Sequence, residues 1–164
     1  MGCTLNYKIR PASKKDKNSI LSVIGSYRRK WDKDFAERYY NDFFQKNSAL
    51  SKRDRVYVYA DKKEVIGVIG YSLDYYETDN NYWLSWFYIH KDYNGNGYGI
   101  KLLDYLIKRL KSKGVQKLFV NTSSNEFYLR ALKIYREYGF NKEAVIRNYY
   151  ENAEHQIILS KLIG

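Results

Sequence analysis

Three glycines at alternate positions, Gly95, Gly97 and Gly99, form the stretch of this sequence best suited to chemistry. They follow an apolar, aromatic stretch that ends at Ile89, and a segment with helical periodicity begins directly after them. Glycine has no Cβ, so its backbone approaches a ligand closely and adopts positive φ angles at little cost. The first N–H groups of a helix lack intrahelical partners and lie at the positive end of the helix dipole. The stretch is therefore predicted to bind phosphate.

Two well-known phosphate-binding patterns do not fit this stretch, and a plain tight turn is the remaining alternative. A P-loop has Lys and then Ser or Thr directly after its last glycine, where this chain has Ile100 and Lys101. A dinucleotide fingerprint beginning at Gly95 requires a small residue at position 100 and opens an early βαβ unit. Three alternating glycines exceed what a tight turn needs, so a ligand site is the favoured interpretation.

With these patterns set aside, the chain resembles the GCN5-related N-acetyltransferase (GNAT) superfamily. The acetyl-CoA loop of that family follows Arg/Gln-x-x-Gly-x-Gly/Ala, and residues 94–99 are Asn-Gly-Asn-Gly-Tyr-Gly, with Asn94 as the departure. Residues 9–12 (Ile-Arg-Pro-Ala), followed by Asp16, are similar to the family's first strand and helix. Residues 131–140, with the spacing A-x-x-x-Y-x-x-x-G-F, are similar to its late helix. The three motifs occur in the family's order and cover nearly the whole chain.

The resemblance implies acetyl-CoA as the co-substrate and gives roles to particular positions. Tyr135, four residues before Gly139, corresponds to the family residue that protonates the departing CoA thiolate, with packing on a helical stripe as its alternative. A phenol with a pKa of about 10 can donate to a thiolate whose conjugate acid has a pKa of about 8.5. The positions implied to contact acetyl-CoA, through the backbone at the first two, are Tyr88, Ile89, Asn94, Gly95, Asn96, Gly97, Tyr98, Gly99, Ile100, Asn121 and Tyr128. Tyr128 stands where the family often has Asn, and Asn121 or Asn125 is the substitute for that contact.

The general base is not evident from the sequence. An amine with a pKa of about 10 is protonated at neutral pH and must lose a proton before it attacks a thioester. Family members often carry Glu on the fourth or fifth strand, but residues 82–89 and 118–121 contain no carboxylate. Water held by Ser85 or Ser123 is one alternative. Acidic residues of the loop at 74–81, which include Asp74, Glu77 and Asp79, are expected either to attract a cationic amine or to be simply solvated.

Hydrophobic periodicity predicts the elements that position these residues. Strands are predicted at residues 5–9, 56–60, 65–73, 82–89, 117–121, 144–147 and 156–159, with a hairpin turn at 61–64. Helices are predicted from residue 13 to 27, 31 to 50, 100 to 114 and 123 to 139. With the resemblance, this order predicts an α/β (α+β) fold: a single GNAT-like domain over residues 1–164, with a central, mostly antiparallel mixed sheet of about six to seven strands flanked by helices on both faces.

Local patterns add detail to these helices. Capping boxes are expected at Ser13 with Asp16 and at Ser123 with Glu126. The second helix carries Phe35, Tyr39 and Phe43 on one face, and residues 51–55 form a polar connection after it. The helix after the glycines is expected to turn its apolar stripe toward the core, namely Ile100, Leu103, Leu106 or Ile107, and Leu110.

Composition limits the class of protein. The 164 residues carry 29 Lys and Arg against 18 Asp and Glu, a net charge of +11, which predicts either attraction to polyanions or a solvated basic surface. One Cys excludes an internal disulfide, and two His without clustered carboxylates argue against a metal enzyme. The sequence has neither a signal-like apolar start nor an apolar run long enough to cross a bilayer, so a cytoplasmic protein with no membrane partner is expected.

Two functions follow from these observations. The first is an N-acetyltransferase that moves an acetyl group from acetyl-CoA to a primary amine by direct attack in a ternary complex, without a metal. The acceptor is a protein N-terminus or lysine, or a small amine such as a polyamine or aminoglycoside. The second is a basic nucleic-acid-binding module without turnover, for which the charge and the 19 tyrosines are suitable. Its basic residues are scattered and no nucleic-acid motif is present, so nucleic acid is not the expected partner. A homodimer and a monomer are both compatible with the sequence.

Overall fold

The strands follow the order predicted from the sequence. The computed structural model describes residues 7–61, 64–76, 78 and 80–164. Within these residues the strands are β1 (Lys8–Pro11), β2 (Arg55–Ala60), β3 (Val65–Leu73), β4 (Asn81–Ile89), β5 (Lys117–Ser123), β6 (Asn141–Ile146) and β7 (Gln156–Leu162). The α-helices are α1 (Lys17–Gly25), α2 (Lys30–Phe43), α3 (Ala49–Arg53), α4 (Tyr98–Ser112) and α5 (Leu129–Glu137). Positions 5 and 6 of the predicted first strand, and Lys62 and Lys63 of the predicted hairpin turn, lie outside the described residues.

The described strands form a seven-stranded sheet in the hydrogen-bonded order β1-β2-β3-β4-β5-β7-β6. The pairs β1–β2, β2–β3, β5–β7 and β6–β7 are antiparallel, and β4–β5 is parallel. The predicted mixed, mostly antiparallel sheet is therefore confirmed. The chain packs as two compact units, one with residues up to Ser72 and Ser85–Leu106, the other with Leu73–Leu84 and Ile107–Gly164.

In the first unit, helices cover both faces of β2. Successive strand residues point to opposite sides of a sheet, and nearly all of β2 is buried. Val56, Val58 and Ala60 belong to the apolar cluster that α1 and α2 also enter. Tyr57 lies on the other side, with its ring centroid 5.2 Å from that of Tyr105 in α4. A short β-branched strand of this kind is stable because it is packed from both sides.

The start of α1 is fixed by a buried carboxylate. Asp16 accepts hydrogen bonds from the backbone N–H of Ser13 at 2.8 Å and from its hydroxyl at 2.9 Å. The Arg10 guanidinium donates to both oxygens of Asp16, at 2.7 and 2.8 Å. Asp16 is 7% exposed, and its hydrogen bonds from Arg10 lower its pKa to about 2. Asp16 therefore occupies the predicted capping position and also ties β1 to the helix.

Replacing Asp16 by Asn is expected to destabilise the fold by about 1–2 kcal/mol at pH 7. The whole pKa shift of Asp16 would correspond to a larger free energy of unfolding. Arg10 is 45% exposed, however, so solvent weakens its ion pair with Asp16. Because the folded-state pKa is depressed, this stability is present above the unfolded pKa of about 3.9 and is lost as pH falls through about 2. The difference in free energy of unfolding between wild type and Asp16→Asn, measured in urea, should therefore be about half as large at pH 3 as at pH 7.

The matched control for that measurement is Asp34→Asn. Asp34 pairs with Lys30 one turn away on α2, and its side chain is 48% exposed. An exposed pair of this kind contributes less than about 0.5 kcal/mol. Equal effects of the two substitutions, or an Asp16 effect that does not change with pH, would contradict the assignment.

The predicted helix from residue 31 to 50 is wrong in its second half. Helix α2 ends at Phe43, and α3 occupies Ala49–Arg53, where a polar connection was expected. Asn47 has a φ of +65°, a left-handed conformation that a continuous helix does not contain. Ser48 then caps α3, because its Oγ accepts from the N–H groups of Leu50 at 3.1 Å and Ser51 at 3.4 Å.

The core face of α2 lies beside the predicted aromatic row. Ala36 and Tyr40 are fully buried, whereas Phe35 is 42% exposed. The rings of Phe35 and Tyr39 both contact Trp86 in β4, with ring-centroid distances of 5.5 Å and 4.9 Å. Small and large residues at helical spacing thus face the sheet, and the larger rings close the edge of the cluster.

In the second unit, β7 lies between β5 and β6 and pairs antiparallel with both. The predicted terminal hairpin is thereby confirmed. Alternate residues of β5, Leu118 and Val120, are buried, as is Leu159 of β7. Helix α5 ends at Glu137, followed by Gly139 with a φ of +89° and by buried Phe140, as the Gly-Phe pair predicts.

The predicted capping box of Ser123 with Glu126 is wrong. Asn125 provides the cap, since its side chain accepts from the N–H of Phe127 at 2.9 Å. Ser123 acts one step earlier, where its hydroxyl accepts from the N–H of Asn125 at 3.0 Å. A 3-10 turn, Glu126–Tyr128, separates this cap from α5. Sequence spacing alone does not distinguish Ser123 from Asn125 as the helix cap, because Ser and Asn side chains both cap well.

Candidate functional site

The glycine loop in the first unit has the conformation that its composition predicts. Gly95 has a φ of +83° and Gly97 a φ of +74°, both left-handed, whereas Gly99 lies in the first turn of α4. A Cβ added at Gly95 or Gly97 would have no described atom within 4 Å. These glycines are therefore required by backbone conformation, and the space beside them is open to a ligand.

The backbone after the loop provides hydrogen-bond donors. The first helical bond of α4 runs from the N–H of Lys101 to the carbonyl of Gly97, at 3.2 Å. The N–H groups of Tyr98, Gly99 and Ile100 precede that bond, so no carbonyl of an earlier helical turn faces them. Together with the helix dipole, these donors suit an anion such as pyrophosphate.

The expectation that Ile100 points into the core is wrong. Its side chain is 36% exposed, and the fully buried stripe of α4 consists of Leu102, Leu103, Leu106 and Leu110. The helix begins at Tyr98, and its rotation there places residue 100 on the solvent side. An apolar side chain therefore lies exposed in the first turn of α4.

Asn94, the first residue of the loop, is held by Tyr27, a residue that the sequence predicted only as part of the buried stripe of the first helix. The Asn94 side-chain amide donates to the hydroxyl of Tyr27 at 2.8 Å. The same hydroxyl donates to the backbone carbonyl of Ile89 at 2.6 Å. Tyr27 follows α1 and is separated from Asn94 by 67 positions in the sequence, which is why no local pattern indicated this contact.

The end of β4 is irregular. Trp86 has a φ of +50°, which interrupts the regular strand backbone. Beyond it, Tyr88 packs against the α1–α2 cluster and Ile89 is 8% exposed. The N–H of His90 donates to the carbonyl of Ile66 in β3 at 2.8 Å. The side chains of Tyr88 and Ile89 therefore serve packing, and the contact with acetyl-CoA predicted through their backbone stays a prediction.

Tyr135 belongs to α5 in the second unit. Its side chain is 5% exposed, and burial raises its pKa above the usual value of about 10. Its ring lies 5.6 Å from that of Phe140, whose N–H donates to the Tyr135 carbonyl at 2.9 Å. A phenol in this environment stays protonated at neutral pH and can act only as a proton donor there.

The other predicted contacts in the second unit have local partners. Asn121 is exposed on β5 and accepts from the Tyr150 hydroxyl at 3.4 Å. Tyr128 is the residue just before α5 and is half-buried. Asn125, the proposed substitute, is engaged by its cap and by a hydrogen bond to Glu154. Asn121 is thus the more accessible of the two asparagines.

A buried carboxylate that the sequence placed in a polar connection lies just before β2. Asp54 is 5% exposed and accepts from the Tyr39 hydroxyl at 2.7 Å. Its pKa is raised because burial disfavours the charged form. Ser85, a predicted water-holding residue, has a buried Oγ without a hydrogen-bond partner among the described residues. Ser123, the other such residue, donates to Glu154 at 3.0 Å.

In residues 7–61, 64–76, 78 and 80–164, no group of three or more His, Cys, Asp or Glu side chains is arranged to hold a metal ion. None of the helices in this part of the chain has both the length and the apolar character needed to cross a membrane. Glu77 and Asp79 of the predicted acidic loop lie outside the described residues.

Comparison with known proteins gives partial sequence matches. The model of the Acetyltransferase (GNAT) family matches residues 20–140. The [ribosomal protein bS18]-alanine N-acetyltransferase of Escherichia coli K12 is 32% identical over 66 residues, which are 40% of this chain and 43% of that protein. This chain therefore aligns with less than half the length of the curated relatives it matches.

Solved structures share the fold over nearly the full chain. A GNAT-family protein from Desulfovibrio desulfuricans has a TM-score of 0.86 at 19% identity, covering 96% of this chain and 99% of that one. The Escherichia coli ribosomal-protein-S18-alanine N-acetyltransferase has a TM-score of 0.75 at 21% identity, covering 96% and 94%. An aminoglycoside 6'-N-acetyltransferase solved with coenzyme A has a TM-score of 0.73 at 14% identity, covering 96% and 97%. With the family match over residues 20–140, the chain belongs to the acetyltransferase (GNAT) family, whose members use acetyl-CoA.

Proposed function

We propose that this protein is an N-acetyltransferase that moves an acetyl group from acetyl-CoA to a primary amine. The observation that carries the proposal is the glycine loop at the start of α4. Two left-handed glycines, Gly95 and Gly97, leave open space where side chains would stand, and the first N–H groups of α4 follow them. This arrangement supports binding of the pyrophosphate of CoA, and family membership supports acetyl-CoA over other phosphate ligands.

In this proposal the reaction is a direct transfer. The co-substrate supplies an acetyl thioester, and the amine nitrogen forms a C–N bond as the C–S bond breaks. Tyr135 gives its phenolic proton to the leaving sulfur and takes a proton back from solvent after CoA has left; it is protonated at neutral pH, as this role requires. The proton lost by the amine passes to water. The loop N–H groups contribute by fixing the position of the donor, which lowers the entropic part of the barrier.

We infer that the acceptor is the α-amine of a protein or peptide. An α-amine has a pKa of about 8, so part of it is neutral at physiological pH, whereas lysine and other alkyl amines have pKa values of about 10.4. No carboxylate occurs in residues 82–89 or 118–121 to act as a base for a more basic amine. The Escherichia coli relative is named for acetylation of an alanine in a ribosomal protein, which supports the same class.

The test combines cofactor binding with turnover. Acetyl-CoA at saturating concentration should raise the melting temperature, because a ligand specific for the folded state stabilises it. Release of free CoA should then be measured with a peptide bearing an N-terminal alanine, the same peptide with its N-terminus blocked, a lysine peptide, a polyamine and an aminoglycoside. Turnover only with the free N-terminus is the expected result.

Other outcomes of this test contradict the proposal in different ways. If acetyl-CoA binds but only a small amine is acetylated, the proposed acceptor class is wrong and the proposed transferase activity stands. An unchanged melting temperature with acetyl-CoA would overturn the transferase. If acetyl-CoA leaves the melting temperature unchanged and single-stranded RNA raises it, the nucleic-acid-binding function would be favoured.

A further inference from the structure

We propose that Ser26 and Tyr27, the two residues that follow α1, form the positioning element that holds the glycine loop ready for the pyrophosphate of acetyl-CoA. This inference rests on the proposed function and adds residues that lie outside the loop itself. All of the residues involved belong to the first unit.

The Tyr27 hydroxyl joins the end of β4 to the start of the loop. It has one proton, and the 2.6 Å distance to the Ile89 carbonyl identifies that carbonyl as the acceptor. The Asn94 amide must then be the donor in the second bond, at 2.8 Å. One hydroxyl therefore fixes the distance between the last residue of the strand and the first residue of the loop.

Ser26 makes a second connection to the same segment. Its Oγ accepts from the backbone N–H of Lys91 at 3.1 Å and donates to the Val23 carbonyl at 2.7 Å. Between the two connections the chain makes a 3-10 turn, Lys91–Tyr93, so the path from β4 to the loop is held along its length. Neither connection uses a residue of α4.

The support behind these two residues is rigid. Val23 and Ile24, in the last turn of α1, are 1% and 0% exposed and belong to the main apolar cluster. A side chain whose helix is fixed in the core holds its hydrogen-bond partner in place. A loop that is held before the ligand arrives loses less freedom on binding, so its affinity is higher.

The same geometry explains the departure of Asn94 from the family pattern. Its side chain is directed to Tyr27, so its role toward the ligand is to position the backbone that follows. Asn94, first predicted as a cofactor contact, is in this account a positioning residue.

The test uses a donor that lacks the pyrophosphate. In Tyr27→Phe, the KM for acetyl-CoA should rise about tenfold, as expected for the loss of about one net hydrogen bond with its geometry. The KM for S-acetylpantetheine should rise much less, because that donor has no pyrophosphate for the loop to bind and depends on Tyr27 only through the Ile89 backbone. A variant damaged in general packing would lose activity with both donors, so equal effects on the two would overturn the inference.

Two further variants complete the experiment. Asn94→Ala removes the other partner of the same bond, so Tyr27→Phe with Asn94→Ala should raise the KM little more than either alone. Tyr39→Phe removes a hydroxyl bound to Asp54 in the same unit. It should leave the ratio of the KM values for acetyl-CoA and S-acetylpantetheine unchanged. Additive effects of the first pair would overturn the link. A wild-type protein that fails to bind acetyl-CoA would instead overturn the proposed function.

Discussion

Replacing Gly97 by alanine is expected to weaken acetyl-CoA binding about a hundredfold while the protein stays folded. Gly97 has a φ of +74°, and a Cβ built there meets no described atom within 4 Å, so the methyl group enters open space. In our proposal the pyrophosphate occupies that space, and the methyl group displaces it from the N–H donors of α4. Titration calorimetry with acetyl-CoA measures the change directly.

Gly114 offers a matched control for this substitution. It has a φ of +77° at the other end of α4 and also has no described atom within 4 Å of an added Cβ. Alanine in the left-handed region costs about 1–2 kcal/mol at either position, so both variants should lose similar thermal stability. Only Gly97→Ala should lose acetyl-CoA. Equal affinities of the two variants would contradict the loop assignment.

Replacing Tyr135 by phenylalanine is expected to lower kcat about a hundredfold and to leave the acetyl-CoA Kd nearly unchanged. Removal of a general acid typically costs about 10²–10⁴ in rate, because the leaving thiolate must then take its proton from water. The phenyl ring fills nearly the same buried volume, so packing against Phe140 persists. Initial rates of CoA release give kcat, and calorimetry gives the Kd.

Tyr138→Phe is the control on the same segment, since its ring also lies near Phe140 but is half-buried. It should retain wild-type kcat. The pH profile adds a second check: burial raises the pKa of Tyr135, so this acid stays protonated as pH rises and causes no loss of kcat below about pH 10. A Tyr135→Phe variant with wild-type kcat would contradict the acid role.

The sequence predicted those features whose cause is local. Gly95 and Gly97 adopt positive φ because the turn from strand to helix requires it, and the residue type alone indicates this. The end of α5 at Gly139 and Phe140 follows from the same kind of signal. The order of the strands also depends on short-range periodicity, and it agrees with the structure.

Features that depend on distant parts of the chain were not predictable in this way. Tyr27 contacts Asn94 across 67 positions, and Asp54 is buried beneath Tyr39 although its neighbours in sequence are charged. Ile100 was misplaced because it lies roughly a quarter turn from the centre of the stripe of Leu102, Leu103, Leu106 and Leu110, at the edge of the buried face, and the sequence did not locate that centre. The break between α2 and α3 contains one left-handed residue, Asn47, but α2 already ends four residues earlier at Phe43.

The most direct measurement of the central claim is an amide NMR titration of the protein with CoA. The claim is that backbone N–H groups of the loop hold the pyrophosphate, and the chain has only ten glycines, so their amide signals are readily followed. The account predicts that the amides of Gly95, Gly97 and Gly99 shift with CoA concentration, whereas those of Gly25 and Gly114 keep their positions. Saturable binding that leaves the three loop amides unmoved, or no binding at all, would contradict it.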